Sequence, residues 1–191
     1  MIRSKAGRSR FGRQLVPRVS STVSSTLPQN SWSVSKSGDI FDRLEEYWYS
    51  GRTGFIPPRT QGASEAEIQA FEQTHALKLP ADLRGYFLRF NGIDEGPDIF
   101  CFWPIAKLAT VQTPAFNSLK ATVNLREANR YFVFADYLIE SHYYAIYLGD
   151  NPLFQNRVIL PDFPDQPIIA PSFSSFLELY LLDDPRLFGN G

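Results

Sequence analysis

The stretch from Ser64 to Gly92 constrains the fold more than any other part of the chain, because it predicts two amphipathic helices joined by a proline. Ser64 is a typical N-cap, and Glu67 three positions later completes a capping box, which stabilises a helix start by about 1 kcal/mol. Pro80 ends the first helix and suits the first turn of the second. Gly92 is expected to supply the left-handed residue that ends the second helix.

Apolar residues recur at helical spacing in both segments, so each helix should pack one face on a core. The residues on these faces are Ile68, Phe71 and His75 in the first helix, and Leu83, Tyr86, Phe87 and Phe90 in the second. Similar spacing predicts an earlier helix after Asp39 and a last helix capped by Ser172. These patterns specify architecture and leave the chemistry open.

Strand signals cluster in the second half of the chain. Residues 131–135 and 143–148 are aromatic or β-branched runs of strand length, and 99–103, 157–160 and 167–170 are shorter candidates. A helix could also lie within 119–128. Helices first, strands next and one helix last favour a single α+β domain with a twisted, mostly antiparallel sheet packed by helices.

Several segments, in this order, resemble the SUKH superfamily, specifically its cell-wall-assembly-regulator-like branch with Smi/Knr-type domains. The resemblance covers roughly residues 39–184 and is carried by 62–68, Leu79-Pro80, Asn91-Gly92, 102–105, 134–136 and 172–177. It implies a non-enzymatic binding module. Many bacterial members are implied to be immunity proteins that neutralise toxins, and fungal members look like regulatory scaffolds.

Charge divides the chain into two parts. Residues 1–38 carry seven Lys or Arg and no acid, so the remainder holds 12 basic and 20 acidic residues, a formal net charge of −8. The basic, Ser-rich composition of 1–38 predicts a disordered tail before a domain at 39–191. A start codon assigned too early, a mitochondrial-type presequence and a segment that binds nucleic acid or an acidic surface remain open for this tail.

Catalytic and cofactor signatures are not found. The sequence has no zinc-type spacing, nucleotide loop or GxSxG elbow, so we expect no catalytic residue, no metal and no cofactor. Cys101 lies in an apolar run, which favours an inert buried thiol, although spacing alone leaves a Cys–His pair open. His75 is expected to pack inside, and His142 is the better functional candidate.

Cellular location also has a signal in the sequence. A single cysteine excludes an internal disulfide and suits a reducing compartment, and no apolar run approaches the roughly 20 residues needed to span a bilayer. We therefore expect a cytoplasmic protein that binds neither a membrane nor nucleic acid.

Acidic residues form the candidate site. One group crowds the turn after Gly92, and another brackets the predicted hairpin between the two aromatic strands. A solvated acidic loop is the plainest interpretation, and paired carboxylates could also serve acid–base chemistry or hold a hard cation. We favour an acidic docking surface for a basic protein. Its predicted residues are Asp94, Glu95, Asp98, Asp136 and Glu140, with Tyr143 as an aromatic anchor.

Together these observations predict an immunity protein that neutralises a basic toxin domain by direct stoichiometric binding. An intracellular regulatory scaffold of the cell-wall-assembly-regulator type is the alternative. An enzyme that uses the acidic cluster is the least favoured, because no activated nucleophile or base is visible.

Deletion of residues 1–38 should leave the melting temperature unchanged within error, because this segment has no apolar face to contribute to a core. Limited proteolysis should trim the chain to near residues 35–39. Full protection of Arg8, Arg13 and Arg18 from trypsin in the isolated protein would contradict the prediction.

Overall fold

Four α-helices and a six-stranded sheet are found in the part of the chain that the computed structural model describes, residues 38–51, 54–94, 96–116 and 125–189. Residues 1–37 of the predicted tail, Glu95 and most of the helix considered at 119–128 lie outside these residues. The helices are α1 (Ile40–Tyr49), α2 (Glu65–His75), α3 (Ala81–Arg89) and α4 (Phe173–Leu181). The strands are β1 (Phe100–Phe102), β2 (Ala109–Thr110), β3 (Tyr131–Tyr137), β4 (His142–Tyr147), β5 (Val158–Ile159) and β6 (Ile168–Ala170).

The sheet is built around β3, the longest strand. Its order is β1-β3-β4-β5-β6, with β2 also paired to β3, and every pairing is antiparallel. This confirms the predicted α+β class in a single domain. No helix in the described residues is long and apolar enough to cross a membrane.

The helix pair forms where the sequence predicts it, but the first helix ends at His75, with left-handed Ala76 as its C-cap, and not at Pro80. The Ser64 hydroxyl accepts a hydrogen bond from the Glu67 amide at 3.2 Å, and the Glu67 carboxylate accepts one from the Ser64 amide at 2.7 Å. Ile68, Leu83 and Phe87 are completely buried. Local capping and helical periodicity therefore place both helices against the core.

Both ends of α3 differ in detail from the prediction. Pro80 is the N-cap rather than a residue of the first turn, and Phe90 is the C-cap. Asn91, with φ of 50°, is the first left-handed residue, and Gly92 follows with φ of 93°. Gly92 is required for a second reason, since a Cβ there would lie 2.7 Å from the Phe102 carbonyl oxygen.

Both faces of the sheet are covered at β4. Tyr144 packs against Phe176 of α4, with ring centroids 5.2 Å apart. On the other face Tyr143 contacts Phe116 at 5.2 Å and Trp103 at 6.2 Å. The strand therefore has no face open to water, and its tyrosines belong to the core.

The substitution Gly92→Ala should destabilise the domain by at least about 2 kcal/mol, because it adds a clash with the β1 backbone to the strain of a positive φ. Gly54→Ala is the matched control, since Gly54 also has a positive φ, of 82°, but nothing lies within 4 Å of the added carbon. Urea unfolding of both variants measures the difference. Equal losses would mean that the close approach at Gly92 contributes nothing.

Candidate binding groove

Two loops that are far apart in the sequence meet beside β1 and form a groove. The first loop, which includes Asp94 and residues 96–99, precedes β1, and the 138–141 turn joins β3 to β4. The Ile99 carbonyl accepts a hydrogen bond from the Leu138 amide at 3.2 Å. The groove has a volume of about 560 Å³. Its lining residues are Phe55, Asp94, Gly96, Pro97, Ile99, Phe100, Cys101, Lys107, Asp136, Ile139 and Glu140.

Asp98 holds the first loop in place. Its carboxylate accepts hydrogen bonds from the hydroxyls of Tyr47 at 2.9 Å and Tyr180 at 3.1 Å, and from the Phe100 amide at 3.3 Å. Burial raises the pKa of Asp98, and the two tyrosine hydroxyls oppose this change. The turn is thereby tied to α1 and α4, which carry the two tyrosines.

Asp136 holds the second loop in place. Its side chain is buried, and its carboxylate accepts hydrogen bonds from Trp103 Nε1 at 2.6 Å and from the Glu140 amide at 3.0 Å. A buried carboxylate needs such donors, because removal from water otherwise costs several kcal/mol. One side chain thus links the central strand, the exit of β1 and the hairpin turn.

The backbone around the groove is strained. Leu138, Ile139 and Glu140 are consecutive left-handed residues with φ of 52°, 52° and 62°, and Ile99 across the groove has φ of 67°. A β-branched residue rarely adopts this conformation, and each such residue costs about 1–3 kcal/mol. Ile99 and Ile139 are also 56% and 89% exposed, so burial of these side chains offsets little of the backbone strain.

Only two of the predicted acidic residues are exposed in the described structure. Asp94 and Glu140 lie at the rim of the groove, whereas Asp98 is half-buried and Asp136 is buried. The structure therefore brings the two acidic segments together, but it corrects the expectation of one exposed group. Asp98 and Asp136 are occupied by hydrogen bonds within the domain. Glu95 lies outside the described residues.

Tyr143 also lies in a different environment from the one predicted. Its side chain is buried, and its hydroxyl donates a hydrogen bond to the Glu140 carboxylate at 3.1 Å. Burial and Glu140 raise the pKa of Tyr143 to about 12, so the hydroxyl keeps its proton. Tyr143 supports the rim from beneath and does not present a free aromatic face.

The remaining candidates have structural partners. Burial, with a smaller effect from Asp136, raises the pKa of the Cys101 thiol to about 12, which disfavours the reactive thiolate. His142 Nδ1 lies 3.1 Å from the Asp162 carboxylate. His75 packs against Phe132 with ring centroids 5.0 Å apart, and burial lowers its pKa.

Among the described residues, no group of three or more His, Cys, Asp or Glu side chains is placed so that it could hold a metal ion.

Sequence reasoning missed the apolar part of the groove. The sequence predicts a strand start at Ile99 and a hairpin connection at Ile139, and it predicts no site at Phe55 or Lys107. The available signal was the occurrence of large apolar residues inside predicted polar turns, next to acidic residues.

Comparison with known proteins agrees with the sequence motifs. Residues 62–179, more than half of the 191-residue chain, match the sequence model of the SMI1 / KNR4 family (SUKH-1). The matched range includes both loops of the groove and the helix pair. No curated protein sequence matches the chain.

The substitution Asp136→Ala should cost about 2–4 kcal/mol, because it leaves the Trp103 and Glu140 donors without their acceptor. Glu140→Ala, four residues away on the exposed rim, should cost less than about 1 kcal/mol. Chemical denaturation of the two variants provides the comparison. Equal stability losses would contradict the assignment of Asp136 to the fold and of Glu140 to the surface.

Proposed function

The chain belongs to the SMI1 / KNR4 family (SUKH-1), and from this premise we propose that it is a non-enzymatic protein-binding domain of the immunity type. In this proposal it acts in the cytoplasm and neutralises a basic toxin domain by one-to-one binding at the groove. The observation that carries the proposal is the meeting of two acidic loops around an open groove with exposed apolar side chains.

The groove has the composition of a protein contact surface. Its exposed residues include Ile99 and Ile139, and exposed apolar groups ringed by polar ones are typical of interaction sites. Its two loops are held by Asp98 and Asp136, so the surface is ordered before a partner arrives. Pre-organisation reduces the entropy lost on binding.

Charge would guide the encounter. Residues 39–191 carry a formal net charge of −8, and Asp94 and Glu140 add local negative charge at the rim. Clustered charge of one sign raises the association rate of an oppositely charged partner, and salt reduces this effect. A basic surface on the toxin is therefore the complement that the groove requires.

The competing functions differ in specific observables. A regulatory scaffold would use the same surface for a partner that is not a toxin, and a gene for a large secreted toxin beside this one favours the immunity role. An enzyme would need an activated group, but the Asp98 and Asp136 carboxylates accept hydrogen bonds within the fold, and burial raises the pKa of the Cys101 thiol to about 12.

The double substitution Asp94→Lys with Glu140→Lys should slow association with the toxin by about tenfold or more and leave the fold intact, since both side chains are exposed. Surface plasmon resonance at several salt concentrations gives the rates, and survival of cells that co-express the toxin gives the biological outcome. Salt should slow the wild-type association and have less effect on the variant.

The matched control is Asp150→Lys with Asp165→Lys, which changes the net charge by the same amount at exposed positions outside the groove lining. This control should retain most of the wild-type association rate. Calorimetry should give one site per toxin molecule. Turnover of a substrate would refute the proposal. So would cell survival and association rates that are unchanged by the groove substitutions.

A further inference from the structure

Two exposed isoleucines face the groove from opposite loops, and both have left-handed backbones. Ile99 belongs to the turn before β1, and Ile139 is the middle residue of the hairpin turn. Asn or Gly would adopt these conformations at lower cost, and a polar side chain would be better solvated at 89% exposure. Folding alone therefore favours neither isoleucine.

Neighbouring contacts keep the isoleucines in this arrangement. The Glu140 amide is bound by Asp136, the Leu138 amide by the Ile99 carbonyl, and the Ser141 amide by the Tyr137 carbonyl at 3.0 Å. These bonds hold the turn against its own strain, so the backbone that carries Ile139 has a fixed position. Strain that the surrounding structure enforces is characteristic of ligand-contacting segments.

The charges around the groove favour some neighbours of an apolar ligand side chain over others. Among the described lining residues, the exposed rim carries Asp94 and Glu140 against one cation, Lys107, whose Nζ lies 4.0 Å from the centroid of the Trp103 ring. Buried Asp136 adds a further acidic group at the floor. An apolar side chain with acidic neighbours would meet like charge, whereas one with basic neighbours would meet opposite charge.

We propose that the groove binds an exposed segment of the partner in which a large apolar side chain is flanked by Lys or Arg. The apolar side chain would lie between Ile99 and Ile139, and its basic neighbours would reach Asp94 and Glu140. A volume of about 560 Å³ accommodates such a side chain. This inference rests on the proposed function and specifies the chemistry that the partner presents.

Synthetic peptides test this chemistry without knowledge of the partner. The first peptide has a central Phe between pairs of Lys, the second replaces Lys by Glu, and the third replaces Phe by Ser; all are capped at both ends. Each is titrated into the full-length ¹⁵N-labelled protein and followed by NMR. The first should shift the amides of Ile99, Cys101 and Ile139, and the other two should bind about tenfold or more weakly.

The substitution Ile139→Asn separates recognition from folding. Asn suits a left-handed backbone, so the variant should melt at a temperature a few degrees higher than the wild type, while its affinity for the first peptide falls about tenfold. Leu153→Asn is the control, because Leu153 is 65% exposed and outside the groove lining. It should bind the peptide as the wild type does.

Charge-neutral rim substitutions provide a second test that does not depend on the turn. The variant Asp94→Asn with Glu140→Gln should lose its preference for the Lys peptide over the Glu peptide and keep its preference for Phe over Ser. Equal binding of the Lys and Glu peptides by the wild type would overturn the proposal. So would wild-type affinity in the Ile139→Asn protein.

The two proposals can fail separately. If none of the peptides binds the groove but the toxin is still neutralised at one to one, the immunity role stands and the inference about the partner segment is wrong. If the peptides behave as expected but the toxin is not neutralised, the groove chemistry stands and the immunity role is wrong. Amide shifts that depend on protein concentration without peptide would identify a second copy of the chain as the occupant and overturn the inference.

Discussion

The buried carboxylate of Asp136 is the interaction on which the groove depends. It lies in the central strand β3, where it is the register partner of Cys101 in β1, and it accepts hydrogen bonds from Trp103 and Glu140. Loss of a hydrogen-bond donor to a buried carboxylate is strongly destabilising. The fold is therefore most stable when Trp103 and Glu140 both keep their positions. The sheet, the exit of β1 and the hairpin turn are consequently coupled through one side chain.

The coupling explains how the hairpin turn can contain three consecutive left-handed residues. Such a turn would not persist in an isolated hairpin, because each residue of this kind costs about 1–3 kcal/mol. Here its ends are held by Asp136 and by the amide of Leu138, which binds the opposite loop at Ile99. The contacts of the domain therefore hold the backbone of Ile139 in a strained conformation that leaves its side chain in water. An ordinary surface loop has no need of such a conformation.

The sequence predicted what depends on neighbours along the chain. Capping at Ser64 and helical spacing are local signals, and the paired aromatic strands have a clear composition, so the helix pair and the α+β class were predicted correctly. The roles of the acidic residues depend on distant partners. The tyrosines that bind Asp98 are 51 and 82 residues away, and no local pattern distinguishes this acid from exposed Asp94.

The division between inner and outer acids separates the fold from recognition. Asp98 and Asp136 hold the two loops through hydrogen bonds to groups inside the domain, whereas Asp94 and Glu140 face solvent at the rim. A change at the rim can therefore alter the charge presented to a partner while the Asp98 and Asp136 acceptors that hold the loops are retained. A binding domain that must follow a changing partner benefits from this arrangement, because its specificity can shift while its framework is retained.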